Sequence, residues 1–353
     1  MAIPEGQTTR RQFVSRSAVL TAALELGLHS VAKGSKQETP ETFSSYQNRR
    51  RKALWNLLGD LPWQHKPAPP KLIRIEEHEN YTLQRLVLDL NGLEPVPALL
   101  LIPKRLQPRA PGLLYIHWHG GMYDLGKEQL LRGVSVQPPY APVLAELGVV
   151  TLAIDSWCFG ERQHDSKGQR GEEDAFKLML WRGQVLWGMM MFDEFQALSY
   201  LASRPEVDAQ RLGALGMSMG ATKAWWLGAL DPRIRLTMDV CCLTDFESLI
   251  AAKSLSAHSI YYYVPSLLKQ FDTAGINELI VPRPHLSVNG RKDILTPPAG
   301  VELIREKLLP VYRQHGSEQD CHIELFDCAH EELPEMRSLI VDAMRKYLVT
   351  EKT

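Results

Sequence analysis

Between residues 41 and 59, Tyr46, Ala53, Leu54, Leu57 and Leu58 recur at helical spacing among arginines and lysines, which predicts an amphipathic helix. Gly59 and Pro62 end it. After a proline-rich connector at 67–70, the apolar and β-branched runs at 72–77, 81–90 and 96–102 predict three strands, the last two joined through the turn dipeptide Asn91-Gly92. They form an antiparallel edge. Beyond Pro111 the pattern changes: strand-like runs at 113–117, 149–155, 211–217, 236–241, 285–289 and 323–326 alternate with helix-like runs at 142–147, 186–203, 221–230, 301–309 and 334–348. Such alternation predicts an α/β fold, a mostly parallel, doubly wound sheet covered on both faces. Its chemistry is expected at the carboxyl ends of the strands. Two stretches break the alternation: 160–181, polar and glycine-containing, and 245–284, with Tyr261-Tyr262-Tyr263 and a helix-like run at 264–271. Both are expected to be lid or pocket insertions in one domain spanning 71–350, preceded by the helix and connector at 41–70.

Composition narrows the partners. The chain has 353 residues, enough for two domains or one large one at about 150 residues each. Forty Lys and Arg against 41 Asp and Glu give a net charge of -1, with no basic surplus for a nucleic acid or an anionic membrane. No stretch approaches the roughly 20 apolar residues of a membrane span, so no integral membrane segment is expected in the mature chain. Five cysteines are too few and too irregularly spaced for a disulfide framework or a structural zinc site. Cys321 and Cys328, which flank one strand, are the pair to expect if any disulfide forms. The segment Thr9-Arg10-Arg11-Gln12-Phe13-Val14-Ser15, the weakly apolar run at 18–28 and Ser30-Val31-Ala32 together resemble a twin-arginine export signal, with cleavage expected after residue 32. That implies a periplasmic or secreted protein; if the segment is only an N-terminal arm, the protein stays in the cytoplasm.

The candidate chemistry centres on Gly216-Met217-Ser218-Met219-Gly220, a GxSxG between a strand-like and a helix-like run. On such a turn the serine is strained and exposed above the sheet, and the flanking glycines admit close backbone approach. Ser218 is the expected nucleophile. His330, just beyond the last strand, is the expected base, because its rivals His285 and His322 begin strands and so lie at the opposite end. Asp293, in the loop after strand 285–289, is favoured as the orienting acid over Asp245, which follows the preceding strand. The amides of Met219 and Gly121 are expected to form an oxyanion hole. His117 and His119 are read as hydrogen-bonding their loop; no metal and no cofactor are expected. Asp155 and Arg162 are read as anchoring their loop by ion pairing, with substrate binding as the other reading. Trp118, Trp157 and Tyr261 are candidate pocket aromatics, whereas Trp225, Trp226 and the run 189–191 are read as core.

The His119-Gly120-Gly121 loop, the Ser218 elbow, Asp293 and His330, in that order, resemble the α/β-hydrolase superfamily over about residues 70–348. The antiparallel N-terminal strands, the segment 154–162 and the Asn289-Gly290 approach to Asp293 are similar to dienelactone-hydrolase-like and acetyl-xylan-esterase-like members. The resemblance implies hydrolysis of a small-molecule or carbohydrate ester through an acyl-enzyme, without a cofactor. The nucleophile is serine where the smallest dienelactone hydrolases have cysteine, so lactone specificity is not implied. Related serine peptidases share the catalytic domain but usually carry a large N-terminal propeller, and about 110 residues before the first parallel strand cannot hold one. A silent binding scaffold on the same fold is the third reading, and a complete triad argues against it.

Overall fold

The computed structural model describes residues 41–350, so the signal-like segment at 1–32 lies outside the described residues. Helix α1 (Phe43–Asn56) starts at Thr42, whose hydroxyl accepts the Ser45 amide. Its buried Gln47 donates to the Val281 carbonyl at 2.7 Å, and Arg51 reaches the carbonyls of Ala229 and Leu279. The helix is therefore bound to the domain by side-chain bonds as well as by Leu54.

Strands β1 (Lys71–Glu77), β2 (Tyr81–Leu88), β3 (Val96–Pro103), β4 (Ala110–Ile116), β5 (Val150–Ile154), β6 (Val207–Met217), β7 (Ile234–Val240), β8 (His285–Gly290) and β9 (Cys321–Phe326) form one sheet among the described residues. Their order is β1-β2-β3-β5-β4-β6-β7-β8-β9. The pairs β1–β2, β2–β3 and β3–β5 are antiparallel and all the others parallel, as the sequence pattern predicts. Every residue of β4 and β5 is buried, because helices cover both faces. Leu114 and Ile116 belong to one apolar cluster, Leu113 and Tyr115 to the other. The chain steps from β4 to β5 on one side and then to β6 on the other. This reversal opens a crevice at the carboxyl end of β4, the usual place for a ligand in such sheets.

The helices in chain order are α2 (Gln129–Arg132), α3 (Ala141–Glu146), α4 (Gly168–Trp181), α5 (Leu186–Ala202), α6 (Met219–Leu230), α7 (Phe246–Ala251), α8 (Thr273–Asn277), α9 (Pro298–Gln314) and α10 (Pro334–Met344). The clusters place α5, α6 and α9 on one face, and α3 and α10 on the other. Met189, Met190, Met191, Trp225 and Trp226 are buried, and their bulk packs in the core. No helix among the described residues is long and apolar enough to cross a membrane. All five cysteines are free, so Cys321 and Cys328 are not joined.

The insertion at 160–181 is largely a helix, α4. Two expectations need correction. The run 264–271 gives only the short turn Leu267–Lys269, because Pro265 precedes Ser266, whose φ of 63° is incompatible with a helix. Between β2 and β3 the connection is longer than a tight hairpin: the Asn91 side chain accepts the amides of Leu93 and Glu94.

Helix α6 lies unusually close to the sheet. A Cβ on Gly220 would sit 2.1 Å from the Ile116 carbonyl oxygen, and one on Gly216 would sit 2.3 Å from the Gly220 carbonyl carbon. Backbone cannot yield as a flexible side chain can. Gly220→Ala is therefore expected to destabilise the protein by about 1–3 kcal/mol or more, read as a lower urea midpoint at unchanged slope. An unchanged midpoint would contradict the close packing.

Candidate active site

Ser218 joins β6 to α6 with φ 58° and ψ -118°, a conformation that costs a non-glycine residue of order 1–3 kcal/mol. Its amide donates to the carbonyls of Val240 (3.0 Å) and Cys241 (3.1 Å) at the end of β7, which holds the turn in place. Met219 begins α6, so its amide belongs to the first-turn donors that find no acceptor within the helix. The helix terminus favours negative charge at that point.

His330 lies in the loop after β9. Its Nδ1 is 2.7 Å from Oδ2 of Asp293, while Oδ1 of Asp293 accepts the Leu295 amide at 2.9 Å. Asp293 is 2% exposed and held from both oxygens. The other ring nitrogen, Nε2 of His330, is buried without a hydrogen-bond partner. Ser218 and His330 line the same cleft, of about 420 Å³, together with His119, Gly120, Gly121, Tyr123, His258 and Tyr261. Asp245 is elsewhere employed: it caps α7, accepting the amide and hydroxyl of Ser248 at 2.8 and 2.7 Å. His285 is bound to Asp239 at 2.6 Å inside the sheet.

Cys241, Asp293 and His330 bring a thiol, a carboxylate oxygen and a ring nitrogen within 4.8 Å of one another. That donor set fits a metal poorly. Burial pushes the Cys241 thiol well up, against release of its proton, and the carboxylate is already spent on the imidazole and the Leu295 amide. His117 is fully occupied between two loops: Nδ1 meets the Trp118 carbonyl of its own loop at 2.7 Å and Nε2 accepts the Ser156 amide of the loop after β5 at 3.1 Å. Burial, and then the Lys223 charge, lower its pKa to about 3, which keeps the ring neutral.

Other expected residues lie differently. The Gly121 amide, expected in the oxyanion hole, donates instead to Nδ1 of His119 at 3.0 Å. It can serve an oxyanion only by leaving that nitrogen. Of the three pocket aromatics, Tyr261 lines the cleft but Trp118 and Trp157 do not. The Trp118 ring turns under Gly120, where a Cβ on the glycine would be 2.5 Å away. Trp157 lines a separate cavity of about 740 Å³ bounded by Gly171, Asp174 and Leu178 of α4, with the Arg162 guanidinium 4.6 Å from its ring. Asp155 does anchor its loop, but its ionic partner is Lys127 at 2.7 Å, a residue that no motif in the sequence marks. Arg162 pairs with Glu94 and Asp193, and its Nη1 donates to the Asp155 carbonyl oxygen.

The two insertions roof the cleft with groups that no motif marks. Glu172 of α4 is completely buried there, and it accepts hydrogen bonds from Tyr123 and Ser259 and contacts His119. His258 bonds the Leu295 carbonyl and stacks on Tyr262. Only the polar character of the two insertions hinted at these groups.

Against known proteins, residues 4–297 match the Abhydrolase family. A protein of Bacillus subtilis (strain 168) with the provisional name hydrolase YtaP is 42% identical over 301 residues, which cover 85% of this chain and 99% of that protein. Among solved structures, one from Bacteroides fragilis NCTC 9343, provisionally named an acetyl xylan esterase, aligns over 88% of this chain and 89% of its own at TM-score 0.69 and 18% identity. A glucuronoyl esterase from Solibacter usitatus aligns over 88% and 95% at TM-score 0.63 and 15% identity. At such identities the solved structures bear on the fold alone. With the strand order, the strained serine turn and the sequence match in agreement, the chain belongs to the Abhydrolase family and has the α/β-hydrolase fold.

Proposed function

We propose that the protein is a serine carboxylic ester hydrolase that works through an acyl-enzyme, with Ser218 as nucleophile, His330 as general base and acid, and Asp293 as the orienting group. The observation that carries this reading is the buried, unpartnered Nε2 of His330 in the cleft that the strained Ser218 lines. With Nδ1–H held by Asp293, Nε2 is the basic nitrogen and can take the Ser218 proton as the oxygen attacks an ester carbonyl. The Met219 amide, together with amides of the His119-Gly120-Gly121 loop, stabilises the resulting oxyanion. Collapse expels the alcohol, protonated by His330; water then enters and the same steps release the acid.

The cleft, of about 420 Å³, is lined by the polar residues Ser256, His258, Ser259, Gln169 and Glu173 beside Tyr261. This supports a small acyl group on a hydroxylated alcohol, such as an esterified carbohydrate, and the ester-cleaving names of the structural neighbours point the same way. A panel of p-nitrophenyl esters of increasing acyl length, acetylated xylan and a peptide anilide tests it. The expected ranking in kcat/KM is acetyl above butyryl above octanoyl, with the anilide lowest by at least about two orders of magnitude. Preference for the anilide would replace the esterase reading with a peptidase.

A further inference from the structure

Glu172 brings a carboxyl group into a buried place beside the glycine loop. It is completely buried on α4, yet its carboxylate meets Nε2 of His119 at 3.3 Å, the Tyr123 hydroxyl at 3.1 Å and the Ser259 hydroxyl. His119 in turn is the first residue of the glycine loop, and its Nδ1 accepts the Gly121 amide at 3.0 Å. A ring nitrogen that accepts an N–H carries no proton, so the proton of a neutral His119 sits on Nε2 and is donated to the carboxylate. The ring is further fixed by the Tyr261 ring at 5.2 Å and by edge contacts with Tyr123 and Phe159. Gly120 and Gly121, at φ 51° and 70°, have no side chains of their own to hold the loop's conformation.

Resting on the esterase reading above, we propose that Glu172 is a positioning residue for the oxyanion loop: by accepting Nε2–H it fixes the His119 tautomer, and Nδ1 of that tautomer holds the loop at Gly121. The chain of contacts runs from α4, through one imidazole, to the backbone beside Ser218. In the resting loop the Gly121 amide is occupied, whereas the amide of Gly120, which also lines the cleft, has no acceptor among the described residues and is available to an oxyanion. The insertion that bears α4 is thus part of the catalytic geometry rather than only a cover.

A carboxylate can only accept, whereas a glutamine side chain can accept or donate, so Glu172→Gln permits both tautomers of His119 and frees the loop. It is expected to lower kcat about 10- to 100-fold on a short-chain ester with KM within about threefold, because a misplaced oxyanion donor matters chiefly in the transition state. His119→Asn, whose amide oxygen can stand near the place of Nδ1, is expected to retain more kcat than His119→Gln or His119→Ala. In ¹⁵N spectra of histidine-labelled protein, the His119 signal identified by its loss in the Asn variant should report Nε2–H in the wild type and a mixed tautomer in Glu172→Gln. Thermal unfolding checks that each variant is folded; a folded Glu172→Gln with unchanged kcat, or with KM raised and kcat kept, overturns the proposal. If the wild type lacks Ser218-dependent ester hydrolysis, it is the esterase reading that fails, and the tautomer measurement still decides whether Glu172 fixes His119.

Discussion

Ser218→Ala is expected to fold normally and to lose ester hydrolysis by a factor on the order of 10⁶ in kcat, leaving the roughly 10³- to 10⁴-fold advantage over water that binding and oxyanion donors supply alone. Alanine keeps the Cβ and therefore the strained φ of 58° at the elbow. It removes only the oxygen. Its unfolding midpoint should thus match that of the wild type, whereas Ser218→Gly, which suits a positive φ, should be equally inactive and more stable by about 1 kcal/mol. Steady-state kinetics and urea unfolding on the three proteins separate chemistry from folding. An alanine variant with a tenth of wild-type turnover would exclude Ser218 as the nucleophile.

Asp293→Asn is the second large effect, with an expected loss on the order of 10⁴ in kcat. An asparagine amide can donate to Nδ1 of His330, which moves the ring proton to Nε2, the atom that must receive the Ser218 proton. The amide also cannot stabilise the imidazolium. Asp245→Asn provides the contrast: asparagine caps helices about as well as aspartate, and Asp245 binds Ser248 rather than any histidine. Its activity should fall by about tenfold or less. If instead Asp245→Asn is dead and Asp293→Asn active on the same short-chain ester, the acid belongs to the end of β7 and the 2.7 Å contact to His330 is not the catalytic one.

The parallel part of the sheet was legible because its strands are centred on apolar runs with helices between them, and burial on both faces, complete in β4 and β5, leaves that signature directly in the residues. The elbow was legible for a local reason: Gly216 and Gly220 are dictated by backbone atoms at 2.3 and 2.1 Å, so the spacing of the motif is a steric record of the turn. Asp293 and His330 could be placed because each follows a strand whose end the pattern marks. The cleft roof was not legible. Glu172, His258 and Ser259 reach the site from insertions whose course is set by tertiary packing, and no periodicity in those stretches says which side chains turn inward. Ring direction is equally a tertiary property, which is why Trp118 and Trp157 do not line the cleft. Nor could sequence show that the Gly121 amide is engaged by a neighbouring imidazole two residues earlier.

The central claim is that an ester's acyl group passes through the oxygen of Ser218. Reaction with a fluorophosphonate probe, followed by intact-mass measurement and peptide mapping, tests this most directly, since the probe is captured only by a serine activated as a nucleophile. One adduct per chain, located on Ser218, absent from Ser218→Ala and formed in step with loss of ester hydrolysis, is the predicted result. An adduct on another residue that accompanies the loss of activity, or full activity in protein completely labelled at Ser218, would contradict it.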